Sequence, residues 1–246
     1  MTNLPLHGIA SGTLYGVGVG PGDPELMTVK AVRILKSVPI IVAPMAEGVR
    51  ESMALEIARC YIEESRQEII GVEFPIGLGA PPEAAWEGAS VRIEGMLDQG
   101  NDVAFLTEGD AMVYSSFSYV MERLKTNRPD LRIEVIPAVT SITAAAASAQ
   151  RPLVSHGERL AVWPALYGID DLQNAIESYD TVVLMKVNRQ ALESVSRMRR
   201  KGVVRRAVLV KRATTTSEKV ITDLKNVSPD EAEYFSMLII SKKDAH

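Results

Sequence analysis

Residues 14–19 alternate small and apolar side chains and end at Gly20-Pro21-Gly22, which reads as a strand running into a turn. Asp23-Pro24-Glu25 then supplies a helix cap, a first helical position and an acidic first turn. Leu26, Val29, Val32 and Leu35 keep a three-residue spacing, which predicts one helical stripe aimed at a sheet. The apolar run 39–43 predicts a buried strand, and 51–62 the helix after it. The Pro/Gly-rich stretch 75–82 reads as a surface loop, 84–97 as a helix that stops at Gly100, and 103–106 as a strand. Phe117, Val120, Met121 and Leu124 mark another helix, and 133–136 a strand before Pro137. Strands alternating with helices need crossover connections, so this half predicts a mainly parallel sheet with helices on both faces.

The second half has a different pattern. Strands are predicted at 160–163, 182–185, 208–210, 219–221 and 234–240, but helices separate only some of them, at 170–178 and 190–201. A mixed sheet follows. The boundary falls near Val139, giving an N-terminal α/β domain at 1–139 and a mixed-sheet α/β domain at 140–246. A length of 246 residues accommodates two such domains, and 46% hydrophobic with 24% charged residues is the composition of a folded chain with a buried core.

A formal net charge of -4 with 5% aromatic residues argues against nucleic acid as partner, because its binders carry basic surfaces with interleaved aromatics. No apolar run approaches the roughly 18–20 residues that cross a bilayer, and the N-terminus lacks a basic stretch followed by an apolar one; a cytoplasmic protein without membrane association is expected. The single cysteine, Cys60, falls in the apolar spacing of Ala54, Leu55, Ile57, Ala58 and Tyr61 and is read as core packing.

The glycine run Gly16-Val17-Gly18-Val19-Gly20-Pro21-Gly22 invites a dinucleotide reading, which fails. G-x-G-x-x-G needs glycine at Pro21 in one register and at Asp23 in the other, and proline removes a backbone N–H. No G-x-x-x-x-G-K-[ST] occurs either. What remains is a loop at the carboxyl edge of a parallel sheet, where glycines let a ligand approach the backbone. Thr107-Glu108-Gly109-Asp110 leaves the strand 103–106, and Pro137-Ala138-Val139-Thr140-Ser141 leaves the strand 133–136, so three loops are expected to converge on that edge.

These segments, GVGPGDPELMTVKA, EGDAMVYSSFSYV and VIPAVTSITAAAA, followed by VVLMKV, resemble in order and spacing the tetrapyrrole methylase family, and the similarity runs from Leu14 to Ile240. Tyr114-Ser115-Ser116-Phe117 and Leu184-Met185-Lys186-Val187 are most similar to members that methylate precorrin-2, or its cobalt-bearing counterpart, at C-20 in cobalamin biosynthesis. The resemblance implies a two-domain tetrapyrrole methylase fold, S-adenosylmethionine as methyl donor in a cleft between the domains, and a homodimer. It implies that Pro21, Gly109, Asp110 and Val113 hold the donor, and that Thr140, Ser141, Met185, Ala213 and Met237 enclose its adenine. Two positions depart from the family pattern: Ala111 stands for its usual proline, and Ala138 for its usual glycine. A left-handed backbone at 138 would strain the turn.

The donor's sulfonium is already activated, so the protein has to bind, orient and exclude water. No metal is called for, and His7, His156 and His246 are scattered and read as surface or structural residues, with His156 the one to test. Methylating a ring carbon requires a proton to leave it, for which Glu108, Asp110 and Tyr114 are candidates. The implied substrate is a flat macrocycle fringed with carboxylates, and Arg50, Arg151, Lys186, Arg189 and Arg212 lie at predicted strand ends or adjoining loops where they could pair with them. The denser run Arg197, Arg199, Arg200, Lys201, Arg205 and Arg206 reads as the exposed face and exit of a helix. The rival readings are a relative with another acceptor and a non-catalytic module that binds a nucleotide or tetrapyrrole.

Overall fold

Five apolar strands of the first half pair side by side in one direction. The computed structural model of the chain describes residues 10–46, 48–49, 51–74, 83–165 and 172–242. Two units are formed, Met1–Thr140 and Ser141–His246. In the first, β1 (Thr13–Gly18), α1 (Val29–Ser37), β2 (Ile40–Ala46), α2 (Met53–Ala58), β3 (Glu68–Phe74), α3 (Glu83–Asp98), β4 (Val103–Thr107), α4 (Ser116–Asn127) and β5 (Arg132–Ile136) follow one another. The sheet order is β3-β2-β4-β1-β5, and every pairing in it is parallel.

Alternation along the central strands sends side chains to two separate cores. Val103 and Phe105 pack with Trp86, Ile93 and Leu97 of α3 and with Phe117, Val120 and Leu124 of α4. Ala104 and Leu106 pack on the other face with Ala31 and Leu35 of α1 and with Ala54 and Ile57 of α2. Each fully buried Phe or Leu of this kind contributes about 1.5–3 kcal/mol relative to exposure.

The second unit comprises α5 (Ser141–Ser148), β6 (Leu160–Pro164), α6 (Leu172–Ser178), β7 (Thr181–Met185), α7 (Arg189–Arg200), β8 (Arg206–Lys211), β9 (Lys219–Ile221) and β10 (Ser236–Ser241). Its order is β6-β7-β10-β8-β9. Only β6 and β7 are parallel; β10 runs antiparallel to both β7 and β8. The sheet is mixed, as the irregular spacing of its helices required.

Several local expectations are corrected. Asp23 caps a single 3-10 turn, Pro24–Leu26, by accepting from the Glu25 N–H, and the long helix starts afresh from its own cap, Thr28, which accepts from the Ala31 N–H at 3.1 Å. Leu35 is buried as the stripe expects, but Val29 is 89% exposed, and Met27, Ala31 and Val38 face the core with Leu35. The helix expected over 51–62 is α-helical only to Ala58 and tightens into a 3-10 turn at Arg59–Tyr61, which turns Cys60 out to solvent and overturns its reading as core. β3 went unread. Its buried residues Ile70, Val72 and Phe74 alternate with exposed ones, yet Gly71 and the nearby charges masked the period. β10 begins two residues later than expected, at Ser236, and the Tyr234 and Phe235 rings before it meet cations at neighbouring strand ends.

Candidate active site

The carboxyl ends of β4, β1 and β5 are neighbours, so the loops that leave them meet. Gly20 and Gly109 exchange two backbone hydrogen bonds, the Gly109 N–H to the Gly20 carbonyl at 2.8 Å and the Gly20 N–H to the Gly109 carbonyl at 3.2 Å. Both have positive φ, +81° and +64°, which a residue with a side chain adopts only under strain. Between them and the β5 loop lies Gly18. A Cβ built there would stand 2.7 Å from the Ala138 Cβ and 2.8 Å from the Gly109 carbonyl oxygen, so the three loops close over a position that only glycine fills.

Asp110 ties the assembly together. Its Oδ1 accepts from the Met112 N–H at 2.9 Å, forming an Asx turn, and its Oδ2 accepts from the Ala138 N–H at 2.8 Å across the end of β1. Both carboxylate oxygens therefore hold backbone, which suits positioning. Ala138 is absent from the positive-φ residues, so the strain feared at this alanine does not arise. Ala111, in the family's proline position, is fully buried.

The Glu108–Tyr114 loop is pinned at its neck by a buried pair that sequence reasoning did not single out. Thr107 Oγ1 and Ser115 Oγ lie 3.3 Å apart, and Ser115 Oγ also accepts from the Phe117 N–H at 3.0 Å as the cap of α4. A serine immediately before a helical stripe was the available signal. Within the loop, Val113 is half-buried and its N–H reaches the Asp110 carbonyl at 3.3 Å. Glu108 is exposed, and Tyr114 is 48% exposed with φ +50°. A tyrosine held in that conformation costs on the order of 1–3 kcal/mol, so the position is a constrained one. Pro21 and Thr140 are half-buried, and Ser141 opens α5.

In the second unit, Met185 and Met237 are register partners across β7 and β10, both buried, and Ala213 is buried after β8. Lys186 and Arg212 directly follow β7 and β8, the strands flanking β10, and both are left-handed, at φ +54° and +45°. The Lys186 Nζ lies 4.9 Å from the Tyr234 ring centre, and the Arg212 guanidinium 5.7 Å from that of Phe235. Arg212 also pairs with Glu233 at 3.2 Å, and Arg189 with Asp230 at 2.5 Å. A cavity of about 410 Å³ lies beside them, lined among others by Lys186, Asn188, Arg189, Asp230, Glu233 and Tyr234.

Arg151 is not part of this group. Burial first, and then the positive charges of Arg206 and Arg199, pull its pKa below the ordinary arginine value; Arg206 opens β8, whereas Arg212 follows its far end. Arg50, His7 and His246 lie outside the described residues, and His156 is exposed. Among the described residues, no group of three or more His, Cys, Asp or Glu could hold a metal ion, and no helix is long and apolar enough to cross a membrane.

A glycine-lined loop whose Pro21 lacks a backbone N–H suits a phosphate-free donor such as S-adenosylmethionine better than a dinucleotide. The sequence model of the Tetrapyrrole (Corrin/Porphyrin) Methylases matches residues 13–228. The chain is 33% identical to a cobalt-precorrin-2 C(20)-methyltransferase of Salmonella typhimurium, over 95% of this chain and 98% of that one. It is 35% identical to a probable cobalt-precorrin-2 C(20)-methyltransferase of Methanocaldococcus jannaschii, over 93% and 96% of the two chains. Among solved structures, the uroporphyrin-III C-methyl transferase of Thermus thermophilus complexed with S-adenosyl homocysteine superposes with a TM-score of 0.65 at 25% identity, covering 94% of this chain and 98% of that chain. The chain belongs to the tetrapyrrole methylase family. It is accordingly a methyltransferase that uses S-adenosylmethionine and acts on a small-molecule tetrapyrrole.

Proposed function

We propose that this chain methylates precorrin-2 at C-20, giving precorrin-3A on the way to the corrin ring. The observation that carries the reading is the convergence of three loops on Gly18, with Gly20 and Gly109 joined by backbone hydrogen bonds and the Asp110 carboxylate accepting from the Ala138 N–H, in a chain similar throughout to C(20)-methyltransferases. A second acceptor, the cobalt form of precorrin-2, is favoured by the similarity to the Salmonella and Methanocaldococcus cobalt-precorrin-2 C(20)-methyltransferases.

In this reading Pro21, Gly109, Asp110 and Val113, with Thr140 and Ser141, hold the donor, and Met185, Ala213 and Met237 supply apolar contact to its adenine. When bound, the donor supplies an activated methyl group. The residues of the chain orient it, exclude water and take up the proton that the ring carbon releases. Glu108 and Tyr114 are the proposed proton acceptors; Asp110, with both oxygens on backbone N–H groups, positions the loops. Lys186, Arg189 and Arg212 are proposed to pair with substrate carboxylates, Lys186 being a half-buried ammonium set over a ring beside a cavity. Arg50 and Arg151 are proposed for the same task at other points of the macrocycle. The protein is proposed to work in the cytoplasm as a homodimer.

Incubation with methyl-labelled donor and either metal-free or cobalt-bearing precorrin-2, followed by mass analysis, tests this. One added methyl on at least one acceptor is expected. No transfer to either, with intact donor binding, would reject it.

A further inference from the structure

Aromatic residues are few in this chain, yet five of them line up in the first unit from core to surface. Phe117 and Phe105 have ring centres 5.6 Å apart, and Phe105 and Phe74 6.2 Å. Phe74 stacks on Trp86 at 4.6 Å with planes 28° apart, and Trp86 on Tyr119 at 4.9 Å with planes 19° apart. The first four are buried, whereas Tyr119 is 51% exposed.

The position of the stack in the sheet is defined by register. Val42 pairs with both Ile70 and Phe105, and Ala46 with Phe74, so β2 and β3 run on past the end of β4 at Thr107. Phe74 thus ends its strand at the height of the Glu108–Asp110 loop. Trp86 lies in the first turn of α3, and Tyr119 at the start of α4, just beyond the Ser115 cap that pins the same loop. Three elements each bring one ring to the carboxyl edge of the sheet, beside the converging loops.

A surface tyrosine on a helix is ordinarily free to change rotamer. Here Trp86 holds it nearly parallel, and an Arg123–Glu87 ion pair joins α4 to α3 alongside the stack. A ring fixed in advance loses little entropy when something flat settles on it. We propose that Tyr119 is a stacking platform for the conjugated face of the tetrapyrrole acceptor. The platform offers an aromatic face and no charge, so it recognises the ring and not its carboxylate fringe. This rests on the methyl-transfer reading for the identity of the ligand.

The test uses the full chain, the dehydrogenated, air-stable form of precorrin-2 as absorbance probe, and S-adenosylhomocysteine in calorimetry. Tyr119→Ala should weaken tetrapyrrole binding by about 3- to 10-fold, the range one aromatic pair supplies, and Tyr119→Phe should stay within about 2-fold of the parent. Affinity for S-adenosylhomocysteine and the sedimentation mass should not change. An unaltered tetrapyrrole Kd in Tyr119→Ala overturns the platform. So does a fall in S-adenosylhomocysteine affinity, which would give the ring to the donor, or a change of mass, which would give it to a second copy. If the parent chain itself binds no tetrapyrrole, the functional reading falls, an outcome distinct from a parent that binds and a variant that binds equally well.

Discussion

At the scale of single residues, the candidate site depends on two positions whose geometry leaves no slack. Gly18→Ala places a methyl group 2.7 Å from Ala138 and 2.8 Å from the Gly109 carbonyl, so one loop must move. A displacement of about 1 Å costs on the order of 100-fold in a reaction governed by placement. Gly18→Ala is therefore expected to lower kcat/KM for methylation by about that factor while the fold persists, read by steady-state kinetics and a thermal melt. Asp110→Asn keeps the shape but replaces one acceptor oxygen by a donor, leaving the Met112 or Ala138 N–H unpaired, at a cost of about 1–3 kcal/mol. Weakened donor binding in calorimetry is the expected result. Glu108→Gln removes the proposed proton acceptor while the Gly20–Gly109 and Asp110–Ala138 hydrogen bonds between the loops stay, so the single-turnover rate should fall with little change in donor affinity. An unchanged rate would release Glu108 from that role.

Among the elements, α3 and α4 are held together by more than their apolar stripes. Arg128, the residue after α4, pairs with Glu94 at 2.9 Å and Asp98 at 3.0 Å on α3 and with Asp130 at 2.9 Å before β5. Hydrogen bonds to Asp130, Glu94 and Asp98, in that order, raise the arginine's pKa, and Arg128 in turn holds the Asp130 carboxyl below the ordinary carboxylate range. A depressed carboxyl pKa stabilises the fold above the unfolded value of about 3.9, and that contribution is lost as pH falls through the lower folded value. Arg128→Met should accordingly lower the urea midpoint at neutral pH, and the gap from the parent should shrink in acid. A gap independent of pH would assign the effect to packing alone. Arg128 and Asp130 stand on a helix exit and a turn while Glu94 and Asp98 belong to another helix, so charge spacing in the sequence carries no sign of who pairs with whom.

At the level of the whole molecule, the contrast between a parallel sheet and a mixed one was legible because strand-helix alternation dictates crossover connections. The converging loops were legible too, since adjacent parallel strands send their exits to one edge. What escaped has physical reasons. β3 carries Gly71 and alternates with exposed charges, so its period-two signal was faint. Val29 was misplaced because Thr28 restarts the helix, a cap inside what looked like a continuous stripe. The left-handed backbones at Tyr114, Lys186 and Arg212 are imposed by tertiary contacts that no local propensity encodes. Arg151 looked equivalent to Arg212 as a basic residue near a strand, until the fold set it with Arg199 and Arg206. The sequence thus offered a set of candidates, and strand order brings the three loops among them to one edge.

The central claim is a methyl transfer to one named carbon, and carbon NMR of the product formed from 13C-methyl donor tests it most directly. The labelled methyl is predicted to be bonded to C-20 of the precorrin-2 skeleton, with metal-free or cobalt-bearing acceptor. A labelled methyl at any other ring carbon would contradict the account while leaving the family intact.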